Sequence, residues 1–187
     1  MKRIAVGISG ASGAIYGIKL LEELKSQGAE TYLVISSWGE YTIRAETDYT
    51  PEDVKALASH WYDPADMAAP LSSGSFALDA MVVAPCSMKT LAGIVCGFSE
   101  DLIMRVADVC LKERRPLLLL TRETPLSRIH IENMLRATDA GAIVMPPVPA
   151  FYAKPQTVDE IVVQSVGRVL DRLGFAAPGL KRWGGEI

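Results

Sequence analysis

The sequence predicts an α/β fold: a single domain built as a doubly wound parallel sheet. Short apolar runs rich in Ile, Val, Leu and Ala alternate with amphipathic stretches of helical spacing, the pattern of repeated strand–helix–strand units. A glycine-rich segment, Gly7 to Gly17, joins the first apolar run to the first helical stretch. The length of 187 residues suits one domain with one substantial core.

Arg3 to Ser9 reads as a buried strand. Ser12 or Gly13 then opens a helix in which Ile15, Ile18, Leu21 and Leu24 recur near helical spacing, with Gly28 as its stop. Glu30 to Ser36 reads as the second strand. A helical stretch follows over residues 39–45, then a turn at Asp48. Pro51 can sit in the first turn of a short helix, where its missing N–H costs nothing. His60 to Ser75, with Pro64, Pro70 and SSGS, reads as a surface loop.

Ala80 to Ala84 is a strand leading into PCS. Residues 88–96 and 101–114 are helical, and Pro116 to Thr121 is a strand. Residues 126–140 form a helix stopped by Gly141, and Ala142 to Pro146 is the last strand. Residues 158–173 form the closing helix, stopped by Gly174. The whole chain, 1–187, is expected to be one domain, with a tail from about 175 packing on a neighbouring subunit. Sheets of this kind bind ligands at the carboxyl ends of their strands.

Composition narrows the function. Apolar residues make up 49% and charged residues 22%, a globular balance. The net charge of −3 argues against nucleic-acid binding. A mean hydropathy of +0.19 fits an oligomer that buries additional surface, and a large core would serve as well. The longest aliphatic run, Pro116 to Leu120, is too short to span a bilayer, and no signal peptide is visible. Three cysteines without a CxxC pair suggest reduced thiols and a cytoplasmic location. Two histidines offer little to a metal site or a Ser-His-Asp triad, so no metal is expected.

Three strand-end segments carry candidate chemistry. In GISGASGAIYG, Gly10 and Gly13 permit close backbone approach, and the N–H groups opening the helix can hold an anion. The segment is neither GxGxxG nor GxxxxGK[ST], and a tight turn that needs glycine for packing is the plainer alternative. Ser36 and Ser37 end the second strand, where they can reach a ligand or cap the next helix. In APCSMKTL, Ser87 and Thr90 offer hydroxyls beside free helix N–H groups, whereas Cys86 reads as a small buried residue and Lys89 as solvated. Among the cations, Arg105 and Lys112 are seven apart, hence on one helix face. Arg122 ends a strand, is followed by Glu123, and suits bidentate phosphate contact. Arg168 lies on the closing helix and Tyr152 in the Pro-rich loop before it. Arg114 and Arg115 read as surface charges.

Taken in order, GASGAIYG, AETD at 45–48, PCSMKTL, LKERRPLLLLTRETP, IHIENM, AFYAKPQ and the terminal RWG resemble the UbiX/Pad flavin prenyltransferases from Gly7 to Gly184. The resemblance implies a flavodoxin-like or Rossmann-like flavoprotein that joins a dimethylallyl group from dimethylallyl phosphate to N5 and C6 of reduced FMN. It implies prenylated FMN as a product for a UbiD-type decarboxylase, and a homo-oligomer, typically a dodecamer. Residue by residue, it places FMN on Gly10, Ala11, Ser12, Ser36, Ser87, Met88, Thr90 and Arg122. It places dimethylallyl phosphate on Arg105, Lys112, Arg122, Glu123, Tyr152 and Arg168, with Trp183 beside it. Ser12, Glu46 and Glu123 are the implied catalytic set. Met67 stands where some members carry a tryptophan.

Two rival readings share the fold. An FMN-dependent cysteine decarboxylase resembles this chain, but its PASANT-like loop is replaced here by PCSMKT and its histidine before that strand is missing. A non-catalytic FMN-binding subunit of a decarboxylase would not need so many additional cations.

Overall fold

The computed structural model describes residues 1–184. Six strands form one parallel sheet: β1 (Arg3–Ile8), β2 (Glu30–Ile35), β3 (His60–Tyr62), β4 (Ala80–Cys86), β5 (Leu117–Thr121) and β6 (Ile143–Val144), in the order β3-β2-β1-β4-β5-β6. Of the doubly wound orders this is the one whose direction reverses between β1 and β4, which opens a crevice at their carboxyl ends. The central strands β1, β4 and β5 are almost wholly buried, as near-continuous apolar runs in a sheet covered on both faces must be.

Seven α-helices cover those faces: α1 (Ala14–Ser26), α2 (Ser37–Glu46), α3 (Pro51–Leu57), α4 (Met88–Cys96), α5 (Leu102–Lys112), α6 (Arg128–Asp139) and α7 (Val158–Leu173). Strand residues alternate between the faces. Ile4, Val6 and Ile8 pack with α1 and α7, joined by Ile43 of α2 and Val54 of α3. Ala5, Met81 and Val83 pack with α4, α5 and Ala137 of α6. The two faces therefore carry different helices, and so different functional side chains.

Two expectations need correcting. His60 begins a strand and not a loop: His60, Trp61 and Tyr62 pair with Tyr32, Leu33 and Val34 of β2. Three residues are too few to display a period, and the neighbour supplies the pairing. The last strand is only Ile143–Val144, because Pro146 and Pro147 lack the N–H groups that would extend it. Residues 175–184 run back over their own chain, where the Gln27 side chain exchanges two hydrogen bonds with the backbone of Ala176 (2.9 and 3.0 Å). Residues 185–187 of the proposed packing tail lie outside the described residues.

Candidate functional site

Ser9 sets the crevice. It is 1% exposed, donates through Oγ to the Pro85 carbonyl at 2.8 Å and accepts from the Ser87 N–H at 2.8 Å. One hydroxyl thus clamps the loop after β1 to the loop after β4. From sequence it reads only as a strand end; no local signal marks it.

Beyond Ser9 the chain turns sharply, Ala11 N–H donating to the Ser9 carbonyl at 2.9 Å. Gly10 is pressed against α2: a Cβ there would lie 2.3 Å from Cβ of Trp38, so only glycine fits without displacing a loop. Gly13 adopts φ 102°, and its N–H donates to Oε2 of Glu46 at 2.7 Å. Among the α-helices described, α1 alone has no side-chain N-cap, whereas Ser36, Thr50, Ser87, Asp101, Ser127 and Thr157 cap the others. The first turn of α1 is left with N–H groups and a positive dipole end for an anion.

A cleft of about 380 Å³ opens here, lined by Gly10, Ser36, Trp38, Ser87 and Thr90. Ser36 Oγ accepts from Gly39 N–H at 3.0 Å and Ser87 Oγ from Thr90 N–H at 3.2 Å, so each serine caps a helix while walling the cleft. Ser87 also donates to Thr90 Oγ1 at 3.0 Å. Met88 packs behind them against the α4–α5 side of the core. Lys89 is solvated, as expected, but pairs with Glu100 at 2.9 Å on the rim. An uncapped glycine-rich helix start, hydroxyls and an indole suit the phosphate, polar edge and ring of a flavin mononucleotide, so the residues present fit FMN.

Arg122 and Glu123 follow β5 and are exposed. The Arg122 N–H donates to the Cys86 carbonyl at 3.2 Å, tying this turn to the β4 loop. Its charge reaches Tyr16 of α1: burial raises the Tyr16 phenol above its ordinary value, and Arg122 opposes the rise. Glu123 Oε1 accepts from the Thr124 N–H at 2.9 Å. Ser12 and Ala11 sit in the β1–α1 loop beside Gly10.

A second cleft, about 400 Å³, holds Tyr152 and Arg168 among apolar walls that include Leu120, Met145 and Val148. Trp183 meets Tyr152 edge to face, ring centroids 5.7 Å apart at 74°. These three members of the expected set are thus gathered together.

Arg105 and Lys112 are not gathered with them. They lie on α5, on the sheet face opposite α7. Arg105 donates to the Ser72 carbonyl (3.0 Å) and to Asp108 (2.7 Å), and Lys112 pairs with Glu113. Within one chain, Arg105 and Lys112 therefore lie across the sheet from Arg168. Arg115 also departs from expectation. It is no free surface charge: Nη2 donates to the Gly74 carbonyl at 2.7 Å, and Nη1 is buried without a partner. Cys86 is fully buried and its thiol is pushed up to about 12 by desolvation, which suits packing and not nucleophilic attack. No group of three or more His, Cys, Asp or Glu with metal-binding geometry occurs among the described residues. No helix among them is long and apolar enough to cross a membrane.

Residues 1–170 match the family model described as Flavoprotein. The chain is 56% identical over 184 residues to the flavin prenyltransferase PAD1, mitochondrial, of Saccharomyces cerevisiae, covering 98% of this chain and 76% of that one. Its fold superposes on the crystal structure of AnUbiX (PadA1) in complex with FMN and dimethylallyl pyrophosphate with a TM-score of 0.98, at 54% identity and covering 100% and 99% of the two chains. A dodecameric FMN-dependent UbiX-like decarboxylase from Escherichia coli O157:H7 matches with a TM-score of 0.96, at 52% identity over 98% of this chain and 100% of that one.

Proposed function

The chain belongs to the Flavoprotein family, among its UbiX-like flavin prenyltransferases, and from that premise we propose that it joins a dimethylallyl group to reduced FMN. The observation that carries the reading is the crevice between β1 and β4, with its glycine-rich, uncapped start of α1. Gly10, Ala11 and Ser12 hold the flavin phosphate, and Ser36, Ser87, Met88, Thr90 and Arg122 hold the remainder. Reduced FMN supplies the nucleophilic N5 and C6 that accept the allyl group.

The chain supplies three things to that reaction. Tyr152 and Arg168, with Arg122, fix the phosphate of the donor and stabilise the charge that grows on it as the C–O bond breaks. Tyr152 and Trp183 present π faces beside the allylic carbons, which carry positive charge as the phosphate departs. Glu123 gives and takes the proton that accompanies ring closure, and Glu46 relays it while holding the Gly13 N–H. Ser12, in the β1–α1 loop one residue before Gly13, completes the catalytic set.

The assembly completes the site. Arg105 and Lys112 lie across the sheet from Arg168, so we assign them to the donor site of a neighbouring subunit. Exposed Ile129, Ile131 and Leu135 on α6, and Phe151 and Val158 near α7, supply apolar surface for such contacts. A dodecamer follows by likeness to the E. coli relative. The product would serve a UbiD-type decarboxylase, and the free thiols fit a reducing, cytoplasmic setting.

Reconstitution tests this function. A UbiD-type apo-decarboxylase should gain activity after anaerobic incubation with this protein, reduced FMN and dimethylallyl phosphate, and should not when any one is omitted. Activation without the allyl donor would contradict prenyl transfer.

A further inference from the structure

Among the described residues, Gln164 is the one side-chain amide in the set of buried polar groups, 5% exposed in the middle of α7. Its Oε1 accepts from the Lys181 N–H at 2.9 Å and its Nε2 donates to the Lys181 carbonyl at 2.9 Å. This reciprocal pair fixes the amide's orientation, since exchanging O and N would oppose both bonds. The second Nε2 hydrogen is directed to the Tyr152 hydroxyl oxygen at 3.4 Å. All of the amide's hydrogens are therefore used on the C-terminal segment and on Tyr152.

The segment that Gln164 grips lies flush on α7. A Cβ on Gly179 would come within 2.3 Å of Val163, and one on Gly167 within 3.0 Å of Leu180. Lys181 Nζ donates to the Ala153 carbonyl at 2.9 Å, one residue from Tyr152, and Arg182 pairs with Asp171. Two residues beyond Lys181, Trp183 packs edge-on against Tyr152.

We infer that Gln164 is a positioning residue for the donor site. By donating to the Tyr152 oxygen it leaves the phenol's own proton free to be given to an anion in the cleft that Tyr152 shares with Arg168. By holding Lys181 it sets Trp183 against the same ring. The buried amide thus couples the path of the C-terminal segment to the donor geometry of one phenol. The inference rests on the reading that Tyr152 and Arg168 bind the allyl phosphate.

The test uses the full chain and three readouts: FMN affinity, KM and kcat for dimethylallyl phosphate, and the rate of tryptic cleavage at Lys181 and Arg182. Gln164→Met keeps the volume and removes every hydrogen bond. It should leave FMN affinity unchanged, speed cleavage, and raise KM for the donor roughly 2- to 13-fold, the effect of one lost neutral hydrogen bond. Gln164→Glu can still accept from Lys181 N–H but would draw the Tyr152 proton to itself, so its KM should rise further. In a Tyr152→Phe background the KM effect of Gln164→Met should shrink to what the path of the C-terminal segment contributes. Should Gln164→Met fail to bind FMN, Gln164→Asn, whose amide is too short to reach Tyr152, takes its place. Faster cleavage with parental KM, or a KM effect undiminished in Tyr152→Phe, would overturn the inference and leave prenyl transfer standing. A parent protein that forms no prenylated flavin would instead remove the reading on which it rests.

Discussion

The backbone N–H of Gly13 donates to Oε2 of Glu46 at 2.7 Å, joining the end of α2 to the start of α1. Gly13 has φ 102° and opens the one α-helix described without a side-chain cap. A carboxylate expected to handle protons is thus also the tether of the phosphate-binding loop. Its two roles separate by substitution. Glu46→Gln keeps an oxygen acceptor, so FMN affinity should hold while product formation slows. Glu46→Ala loses the tether too, and FMN affinity should fall about three- to tenfold, a modest effect because the pair is solvent-exposed. Glu123→Gln should slow product formation without weakening FMN. Equilibrium FMN titration and single-turnover rates separate these outcomes, and parental rates in both glutamine variants would refute the proton-handling roles.

Gly10→Ala should act on FMN more than on the fold. The added Cβ would fall 2.3 Å from Cβ of Trp38, an atom close to the backbone that cannot swing aside. The loop must move, and FMN affinity should drop by at least about tenfold, or 1.4 kcal/mol. Affinity at the parental value would show that the phosphate does not depend on this close approach.

Ser9→Ala should lower stability. It removes the clamp between the Pro85 carbonyl and the Ser87 N–H and leaves buried groups unpaired, at a cost of roughly 1–3 kcal/mol. At about 2–4 °C per kcal/mol for this chain length, Tm should fall by about 5 °C in a thermal melt. An unchanged Tm would mean that water replaces the hydroxyl.

Subunit mixing tests the shared site. Arg105 and Lys112 lie on the α5 face of the sheet and Arg168 on the α7 face. Lys112→Ala should weaken use of dimethylallyl phosphate and spare FMN affinity, whereas Arg122→Ala should damage both. Mixed oligomers of the impaired Lys112→Ala and Glu46→Gln chains should exceed the activity of either variant alone. No gain over the single variants in verified mixed oligomers would place each complete site within one chain.

The fold was largely legible because β1, β2, β4 and β5 are apolar runs buried on both faces, and burial of that kind is written into consecutive residues. His60, Trp61 and Tyr62 escaped, since their strand exists through pairing with β2 and not through any pattern of their own. At the site, the loops holding Gly10, Ser36 and Ser87 could be read from strand ends followed by helix starts. The spacing of Arg105 and Lys112 correctly put both on one helix face, but which side of the sheet that helix covers is a topological fact that local spacing does not encode. Ser9 and Gln164 gave no signal, because a buried hydroxyl or amide is distinguished only by partners that lie 76 and 17 residues away.

Mass spectrometry of the flavin decides whether this chain prenylates FMN. Reduced FMN, dimethylallyl phosphate and the protein are incubated without oxygen, with EDTA in one arm and dimethylallyl pyrophosphate as the donor in another. FMN should be recovered enlarged by one dimethylallyl unit, formed equally well in EDTA and faster from the monophosphate. Flavin recovered unmodified from protein that holds it tightly would contradict prenyl transfer, and product formed only with added Mg²⁺ would contradict a site built from arginine, lysine and tyrosine alone.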